Sequence, residues 1–439
     1  MATILKKKSI FSFISVLLIL SLHTAVFAYE KYSLDDLYKL ALVRSEKIKI
    51  SELDVHVAEM MKKKALSVLV PRFSLFGDYT RYYEDRKLLG GDLYEWTSSR
   101  GVRFDQSFTL NGKELIAFKI TKHGIQKAKQ DLMAVQEVYL FDVASSYYDT
   151  LKALKAVEIT RANVIRLREH ERSVRTRLTL GEVLKTVLIR ALAELSTAKT
   201  ELITAKNRVM LTHAVLASVV GLPQGFETLE PDPENEKSFF LKKLDAIKSA
   251  ALSNRAELKS LNILKTIATE EVSFYRSDYW PSLSVEGVYL NSEYKDAPDY
   301  EENLYAAVSV SIPLFDGGLR NAEIKEALFR KKQVELAVNA MRKQILIEVE
   351  QAYLKIITQQ NILKSLGAKF QFARENFYAV EKQFKYGLAS SLDVMDANTL
   401  LVTSQEELSN ARYSLKLAIL ELKRAQGTFL SEMNNLIVQ

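Results

Sequence analysis

The chain contains the same unit twice, and this duplication restricts its possible folds more than any other feature. The segment VPRFSLFGDY (70–79) matches WPSLSVEGVY (280–289), and further along the chain Gly112 matches Gly318. A repeat of this size indicates two copies of one structural unit. We place the first repeat at 29–221, a linker rich in proline and acidic residues at 222–240, the second repeat at 241–427 and a C-terminal tail at 428–439.

Each repeat is predicted to contain two strands followed by a long helical hairpin. Apolar and polar residues alternate with period two, as in strands, at about 72–83, 100–110, 282–292 and 304–314. The segments that follow, 112–221 and 318–427, are rich in good helix formers, and Gly181 and Gly387 divide each of them into two helices. The turns from strand to helix are predicted at Asn111, Gly112, Asp316, Gly317 and Gly318.

The length of these helices and the absence of catalytic motifs argue against an enzyme. A helix from Gly112 to Gly181 would span about 100 Å, since each residue adds ~1.5 Å, and such a rod suits a protein that bridges a gap beside a membrane. The sequence has no Walker loop, nucleophile elbow or histidines at metal-binding spacing, so we expect no enzymatic activity, no cofactor and no metal site. A formal net charge of +7 without a basic tract gives no indication of nucleic-acid binding.

Each predicted strand has one apolar face, formed for example by Phe73, Leu75 and Tyr79 or by Val308 and Val310, and one small or polar face. Both a lipid-facing wall and a soluble sheet with one buried face have this pattern. Four strands are too few to close a transmembrane barrel, and lipid does not tolerate an open sheet edge. A membrane location would therefore require several copies of the chain to share one barrel.

The N-terminal residues 1–28 have the features of a secretory signal peptide. Lys6–Lys8 form a basic start, Ile10–Leu22 an apolar stretch, and Val26 and Ala28 are small residues before a cleavage site. The apolar stretch is too short to span a membrane as a helix. We therefore expect an exported protein.

Four stretches resemble the TolC-type outer-membrane efflux proteins. They are LFDGGLRNAEI (314–324), the paired strand segments that begin at Pro71 and Pro281, and YGLASSLDVMDANTLLVTSQEELSNARYSLKLAILELKRAQG (386–427). The resemblance implies a mainly α-helical protein with a β membrane part. Three chains would share one 12-stranded transmembrane β-barrel, four strands from each, and a long α-helical coiled-coil barrel would continue it through the periplasm.

The function implied by this resemblance is passive export through an outer-membrane exit duct in contact with lipid. The duct would belong to a tripartite efflux or type I secretion system, and its partners would be a periplasmic adaptor (membrane fusion) protein and an inner-membrane pump of the RND or ABC type. The residues leave open an alternative, a non-conducting periplasmic coiled-coil scaffold or adaptor whose strands form a small soluble sheet.

Two groups of candidate functional residues lie near the ends of the helical hairpins. By resemblance, Asp393 and Asp396 would form acidic rings at the periplasmic constriction of the duct, although Ser390 and Asp393 also have the spacing of a helix cap. In the first repeat Val187 and Arg190 occupy the matching positions, so Arg190 is included in the candidate gate. The resemblance further implies that the hairpin ends bind the adaptor through Leu180, Gly181, Glu182, Tyr386, Gly387 and Leu388.

Overall fold

The computed structural model of the protein describes residues 31–82, 87–88, 91–92, 95–223, 225–230, 241–294 and 301–438. The predicted signal peptide at 1–28, most of the predicted linker and the end of the first predicted strand lie outside these ranges.

The principal helices and strands follow the same order in the two halves of the chain. The first half contains α1 (Leu34–Arg44), α2 (Glu46–Ser67), β2 (Arg72–Arg81), β5 (Trp96–Thr109), α3 (Lys113–Thr179) and α4 (Lys185–Val220). The second half contains α5 (Leu244–Asn254), α6 (Ala256–Arg276), β7 (Ser282–Tyr294), β8 (Glu301–Ser311), α7 (Leu319–Lys385) and α8 (Ser391–Gln426). Helices α3 and α7 have 67 residues each, and α4 and α8 have 36 each.

The described residues also form smaller elements. A two-residue strand β1 (Lys31–Tyr32) pairs with β6 (Glu227–Thr228), and β3 (Lys87–Leu88) pairs with β4 (Gly91–Asp92). The last helix is α9 (Phe429–Val438). In the described part of the chain, no helix is both long enough and apolar enough to pass through a membrane.

The four long strands form one antiparallel sheet in the order β2–β5–β7–β8. Strand β8 ends at Ser311, before the predicted end at 314, because Pro313 has no N–H to donate to a neighbouring strand. Strands β2 and β8 are the edges of the sheet, and each has only one hydrogen-bonded neighbour among the described residues. The sheet is thus open on both sides.

The long helices form two hairpins, α3 with α4 and α7 with α8. In each hairpin a glycine with φ of +76° ends the long helix, Gly181 in the first and Gly387 in the second. The following N–H groups donate back to helix carbonyls, for example from Glu182 to Arg177 at 2.9 Å and from Leu388 to Gln383 at 2.9 Å. These bonds satisfy carbonyl groups that the last turn of a helix would otherwise leave without a partner.

The short helices pack on the middle of the hairpins and form the main core there. Tyr38 of α1, Tyr147 of α3 and Phe429 of α9 are almost completely buried, and the rings of Tyr38 and Phe429 meet edge to face at 5.9 Å. A second cluster joins α5 to α7 and α8 around Ile345 and Ile356. The hairpins are therefore fixed at mid-length, between the sheet at one end and the glycine turns at the other.

Candidate channel wall and hairpin ends

The register of the sheet brings the apolar residues of all four strands onto one surface, the outer face. Phe73 pairs with Phe104, Val102 with Tyr289, and Val285 with Val308. Residues directly opposite each other in a sheet share a face. The outer face is exposed in the single chain: Leu75 has 85% of its surface accessible, and Leu304, on β8, has 80%.

The opposite surface of the sheet, the inner face, carries charged and polar groups. Arg103 Nε lies 3.8 Å from a carboxylate oxygen of Glu286, and the hydroxyl of Tyr305 donates to the same oxygen at 3.4 Å. Such pairs at a solvated surface contribute little to stability. The sheet therefore has an apolar outer face and a hydrophilic inner face, as required of a wall between lipid and water.

The residues predicted at the turns from strand to helix lie between β5 and α3 and between β8 and α7. Gly112, Gly317 and Gly318 have φ of +75°, +71° and +92°, a conformation that glycine adopts without strain. The carboxylate of Asp316 accepts hydrogen bonds from the N–H of Gly318 at 3.0 Å and from Nε of Arg320 at 2.6 Å. The hydrogen bond from Arg320 lowers the pKa of Asp316 below its usual value. Asp316 thus fixes the start of α7, and Gly317 and Gly318 form the turn that leads into it.

The first turn is fixed by different residues. Glu114 accepts from the N–H of Thr109 at 3.1 Å and from its hydroxyl at 3.0 Å, and the N–H of Gly112 donates to the carbonyl of Thr109 at 2.8 Å. Asn111 lies at the turn itself. Glu114 therefore fixes the start of α3, as Asp316 fixes the start of α7.

Asp278 joins the two turns, and the sequence analysis did not single it out. Its carboxylate pairs with Nζ of Lys113, and its backbone carbonyl accepts from Nη1 of Arg320 at 3.3 Å. It follows α6 and precedes Trp280 and Pro281, and this position just before a helix-breaking proline was the only available signal. Asp278 connects the beginnings of α3 and α7, which are about two hundred residues apart in sequence.

The predicted hairpin-end residues lie at the far end of the helices and are exposed. Leu180, Tyr386 and Leu388 project apolar surface into solvent, and Leu388 has 79% of its surface accessible. Glu182 lies beside Arg177, with the two charged groups 4.0 Å apart. The hairpin ends thus present apolar side chains around two glycine turns.

Arg177 connects the two hairpins at this end, and it too was absent from the sequence prediction. Its Nη2 donates to the carbonyls of Phe384 at 2.7 Å and Lys385 at 3.0 Å, and its guanidinium lies 4.5 Å from the centre of the Phe384 ring. These carbonyls end α7 and need partners. An arginine near a helix end is a weak signal in sequence, because it does not show that its partners lie in another hairpin.

The candidate gate residues occupy three separate exposed positions. Asp393 is the third residue of α8 and forms a capping box with Ser390, whose hydroxyl and N–H each donate to its carboxylate at 2.7 Å. These hydrogen bonds lower the pKa of Asp393. Asp396 lies one helical turn further on, on the same side of α8, and Arg190 lies on α4. All three side chains are accessible in the single chain.

Comparison with known proteins agrees with this architecture. The model of the family "Outer membrane efflux protein" matches residues 247–428. The chain is 24% identical over 380 residues to outer membrane protein TolC of Vibrio cholerae, covering 84% of both proteins. It is 22% identical over 424 residues to TolC of Escherichia coli, covering 90% of this chain and 82% of that protein.

The fold also matches solved structures. The CmeC outer membrane channel of Campylobacter jejuni has a TM-score of 0.78 and 17% sequence identity to this chain, covering 90% of this chain and 86% of that chain. The likeness of fold therefore extends over both the sheet and the helical hairpins. The resemblance inferred from the strand segments and the second hairpin is confirmed: the outer membrane efflux protein model matches the second half of the chain, and the TolC proteins are similar to it over more than four fifths of its length.

Proposed function

We propose that the chain is one subunit of a homotrimeric outer-membrane exit duct for efflux or secretion. Four strands from each of three copies would form a 12-stranded barrel, and the helical hairpins would continue it as a tube through the periplasm. The outer-membrane location expected from the sequence is that of the family, whose members are channels rather than enzymes.

The observation that carries this proposal is the open sheet with one apolar and one polar face. Its outer face exposes Phe73, Leu75 and Leu304, which a soluble protein would bury. Among the described residues, its edge strands β2 and β8 have a hydrogen-bonded neighbour on one side only, and lipid does not tolerate an open sheet edge. Pairing β8 of one copy with β2 of the next satisfies the edges and places every outer face toward lipid.

The dimensions of the elements fit the two parts of such a duct. The strands have 10 to 14 residues, and about nine to eleven tilted residues suffice to cross a membrane. Helices α3 and α7, with 67 residues each, are about 100 Å long at ~1.5 Å per residue. The shorter α4 would be extended by α2, and α8 by α6, to complete the wall of the tube.

The equal lengths of matching helices support the proposal of two structural repeats. In a trimer these would give six hairpins around the tube. The turns at Asp316 and Glu114 would bend the chain from the barrel wall into this tube. In each subunit Asp278 would hold the two turns together through Lys113 and Arg320.

The hairpin ends are the proposed entrance of the duct. Three copies of Asp396 would form an acidic ring that favours cations, and three copies of Asp393 a second one, in addition to the role of Asp393 as a helix cap. Arg190, on α4, would add a positive charge to the same region. The exposed Leu180, Tyr386 and Leu388 provide apolar surface for a periplasmic adaptor, which would connect the duct to an RND or ABC pump.

The experiment that tests the trimer uses the absence of cysteine from the chain. Ser74 lies on edge strand β2 and Ser309 on edge strand β8, both on the inner face. Within one subunit they are three strand spacings apart, at least about 14 Å at ~4.8 Å per spacing. A disulfide needs Cα atoms within about 7 Å, so a bond between these positions must join two subunits.

We expect the double variant Ser74→Cys with Ser309→Cys to give covalent dimers and trimers in membranes after oxidation or a short thiol cross-linker. The ladder should stop at three chains. The single variant Ser74→Cys is the control, because a trimer of it would have only one thiol at each interface between subunits, too far from the other thiols to form a disulfide. A ladder that continues beyond three chains, or a double variant that stays monomeric, would contradict the closed trimer.

A further inference from the structure

The helices of the two proposed repeats correspond to each other position by position. The strand partners Phe73 and Phe104 correspond to the strand partners Leu283 and Val310, which lie 210 and 206 positions later. The shift of 210 also relates the start of α2 to that of α6, and the shift of 206 relates α3 and α4 to α7 and α8. A helix contact between the two repeats of one subunit therefore predicts which residues would meet between two copies arranged in a ring.

Within one subunit the two repeats meet along α3, at what we call the internal interface. Helix α3 packs on α6 nearer the sheet and on α8 nearer the hairpin ends. Polar side chains bridge the internal interface at four levels: Lys113 with Asp278, Lys119 with Glu270, Asp131 with Ser260, and Arg166 with Asn398. Ion pairs and hydrogen bonds thus join the two repeats.

The corresponding positions on the outer sides of the subunit are mostly apolar. In the same order, they are Leu319 with Val68, Lys325 with Met60, Ala337 with Ile50, and Phe372 with Leu192. Leu319, Ile50 and Phe372 have 59%, 60% and 62% of their surface accessible in the single chain. Apolar side chains are therefore exposed at the levels where the internal interface is polar.

These residues form two surfaces that continue the two edges of the sheet. The first lies on α7, which follows edge strand β8, and the second lies on α2 and α4, of which α2 leads into edge strand β2. Long exposed apolar surfaces are rare on monomeric soluble proteins and mark sites of association. Both surfaces thus lie on the sides where the sheet also lacks a neighbour.

We propose that the apolar surface of α7 packs on α2 and α4 of the next copy of the chain. Phe372 would contact Leu192 of that copy, and Ala337 would contact its Ile50, so the subunit interface would be apolar where the internal interface is polar. Apolar interfaces are typical of permanent assemblies, and salt does not weaken them as it weakens ion pairs. The inference rests on the proposed trimer and adds which side chains join its subunits.

Thiol cross-linking tests the contact, because the chain has no cysteine of its own. Leu192→Cys with Phe372→Cys should give covalent dimers and trimers in membranes with a short thiol cross-linker. Within one subunit α3 and α8 lie between α4 and α7, so the two positions are at least two helix spacings apart, about 16 Å at ~8 Å each, and the link must join two copies.

Ile203→Cys with Phe372→Cys is the matched control for this pair. Ile203 is exposed on the same face of α4 as Leu192, but it lies about 16 Å further along the helix at ~1.5 Å per residue. This distance is beyond the reach of a short reagent. We therefore expect no cross-linked ladder from the control pair.

Copying the internal interface onto the subunit interface tests the chemistry of the contact. Phe372→Arg alone would bury a charge against Leu192, and the trimer should dissociate in denaturing detergent at least about tenfold faster than the wild type. Phe372→Arg with Leu192→Asn reproduces the pair of Arg166 with Asn398, and it should bring the rate back to within about threefold of the wild type. Such recovery would show that the single variant fails at the contact and not in folding.

The mass of the wild-type protein in detergent separates this proposal from the proposed duct. A trimeric mass without cross-linking of the Leu192 and Phe372 pair would overturn the apolar interface and leave the duct unaffected, whereas a monomeric mass would overturn both. Equal cross-linking of the Ile203 pair would contradict the predicted positions. A double variant that dissociates as fast as Phe372→Arg would also overturn the proposal.

Discussion

The contact of Arg177 with the end of α7 gives a quantitative prediction for the junction of the two hairpins. Arg177→Met keeps a side chain of similar length but removes the charge and all N–H donors. The carbonyls of Phe384 and Lys385 would lose the donor that now lies at 2.7 and 3.0 Å, and the Phe384 ring would lose the cation at 4.5 Å. The contact with Glu182, at 4.0 Å and exposed, contributes little.

The size of the effect follows from these contacts. A hydrogen bond from a charged donor contributes about 1.5–3 kcal/mol. A cation over an aromatic ring at a partly exposed site adds about 0.5–1 kcal/mol. Both carbonyls accept from the same nitrogen, so we count one hydrogen bond and not two. The total loss of stabilisation is then about 2–3 kcal/mol. The hairpin end would then open about 30 to 150 times more often than in the wild type, since ~1.4 kcal/mol changes an equilibrium constant tenfold.

Amide hydrogen exchange of residues 386–388 measures this opening directly, because their N–H groups bond to carbonyls of the last turn of α7. Exchange there should accelerate by the factor given above, while exchange of the core around Tyr147 stays unchanged. Arg172→Met is the matched control, since Arg172 is an exposed arginine on α3, the helix that carries Arg177. Equal exchange in the two variants, or uniform acceleration along the whole chain, would refute the assignment of Arg177 as the link between hairpins.

Three further predictions concern single positions. Gly387→Ala should lower the free energy of unfolding by about 1 kcal/mol, because φ at this position is +76°. Gly367→Ala should raise it by about as much, because Gly367 lies inside α7 and alanine favours helix. Urea unfolding that shows the same sign for both variants would contradict the turn geometry. Burial, followed by repulsion from Glu257, raises the pKa of Glu137 to about 7, so the folded protein holds this proton more tightly than the unfolded chain and loses stability as pH rises from about 4.5 to about 7. We therefore expect Glu137→Gln to unfold at higher urea concentration than the wild type above pH 7 and at the same concentration below pH 4.5; a constant difference at all pH values would exclude this titration. Asp396→Asn should reduce cation selectivity in planar-bilayer recordings without loss of the helix cap, and unchanged selectivity would remove Asp396 from the proposed ring.

The sequence predicted the parts of the fold that depend on local pattern. Alternation with period two located the strands, and the glycines at 112, 181, 318 and 387 located the turns, because each of these features depends on neighbours a few residues apart. The capping role of Asp393 was predicted in the same way, from its spacing to Ser390. Local chemistry decides such features, so one sequence is sufficient to find them.

The residues that sequence reasoning missed depend on contacts between distant parts of the chain. Arg177 contacts carbonyls more than two hundred positions away, and Asp278 meets Lys113 from the other half of the chain. Arg166 on α3 likewise donates to Asn398 on α8, in the other half of the chain. Arginine, lysine and aspartate are common on helix surfaces, so nothing in their own neighbourhood distinguishes these positions.

The pairing of β5 with β7 has a consequence for biogenesis. It joins Thr97 to Tyr294 and Thr109 to Ser282, so the sheet cannot begin to form across its centre until the second half of the chain has been synthesised. Local helical hairpins form quickly, whereas strand pairing at such separation in sequence is slow. Newly exported chains would therefore form their helical hairpins and the two local strand pairs, β2–β5 and β7–β8, before the central pairing of β5 with β7 joins these pairs into one sheet.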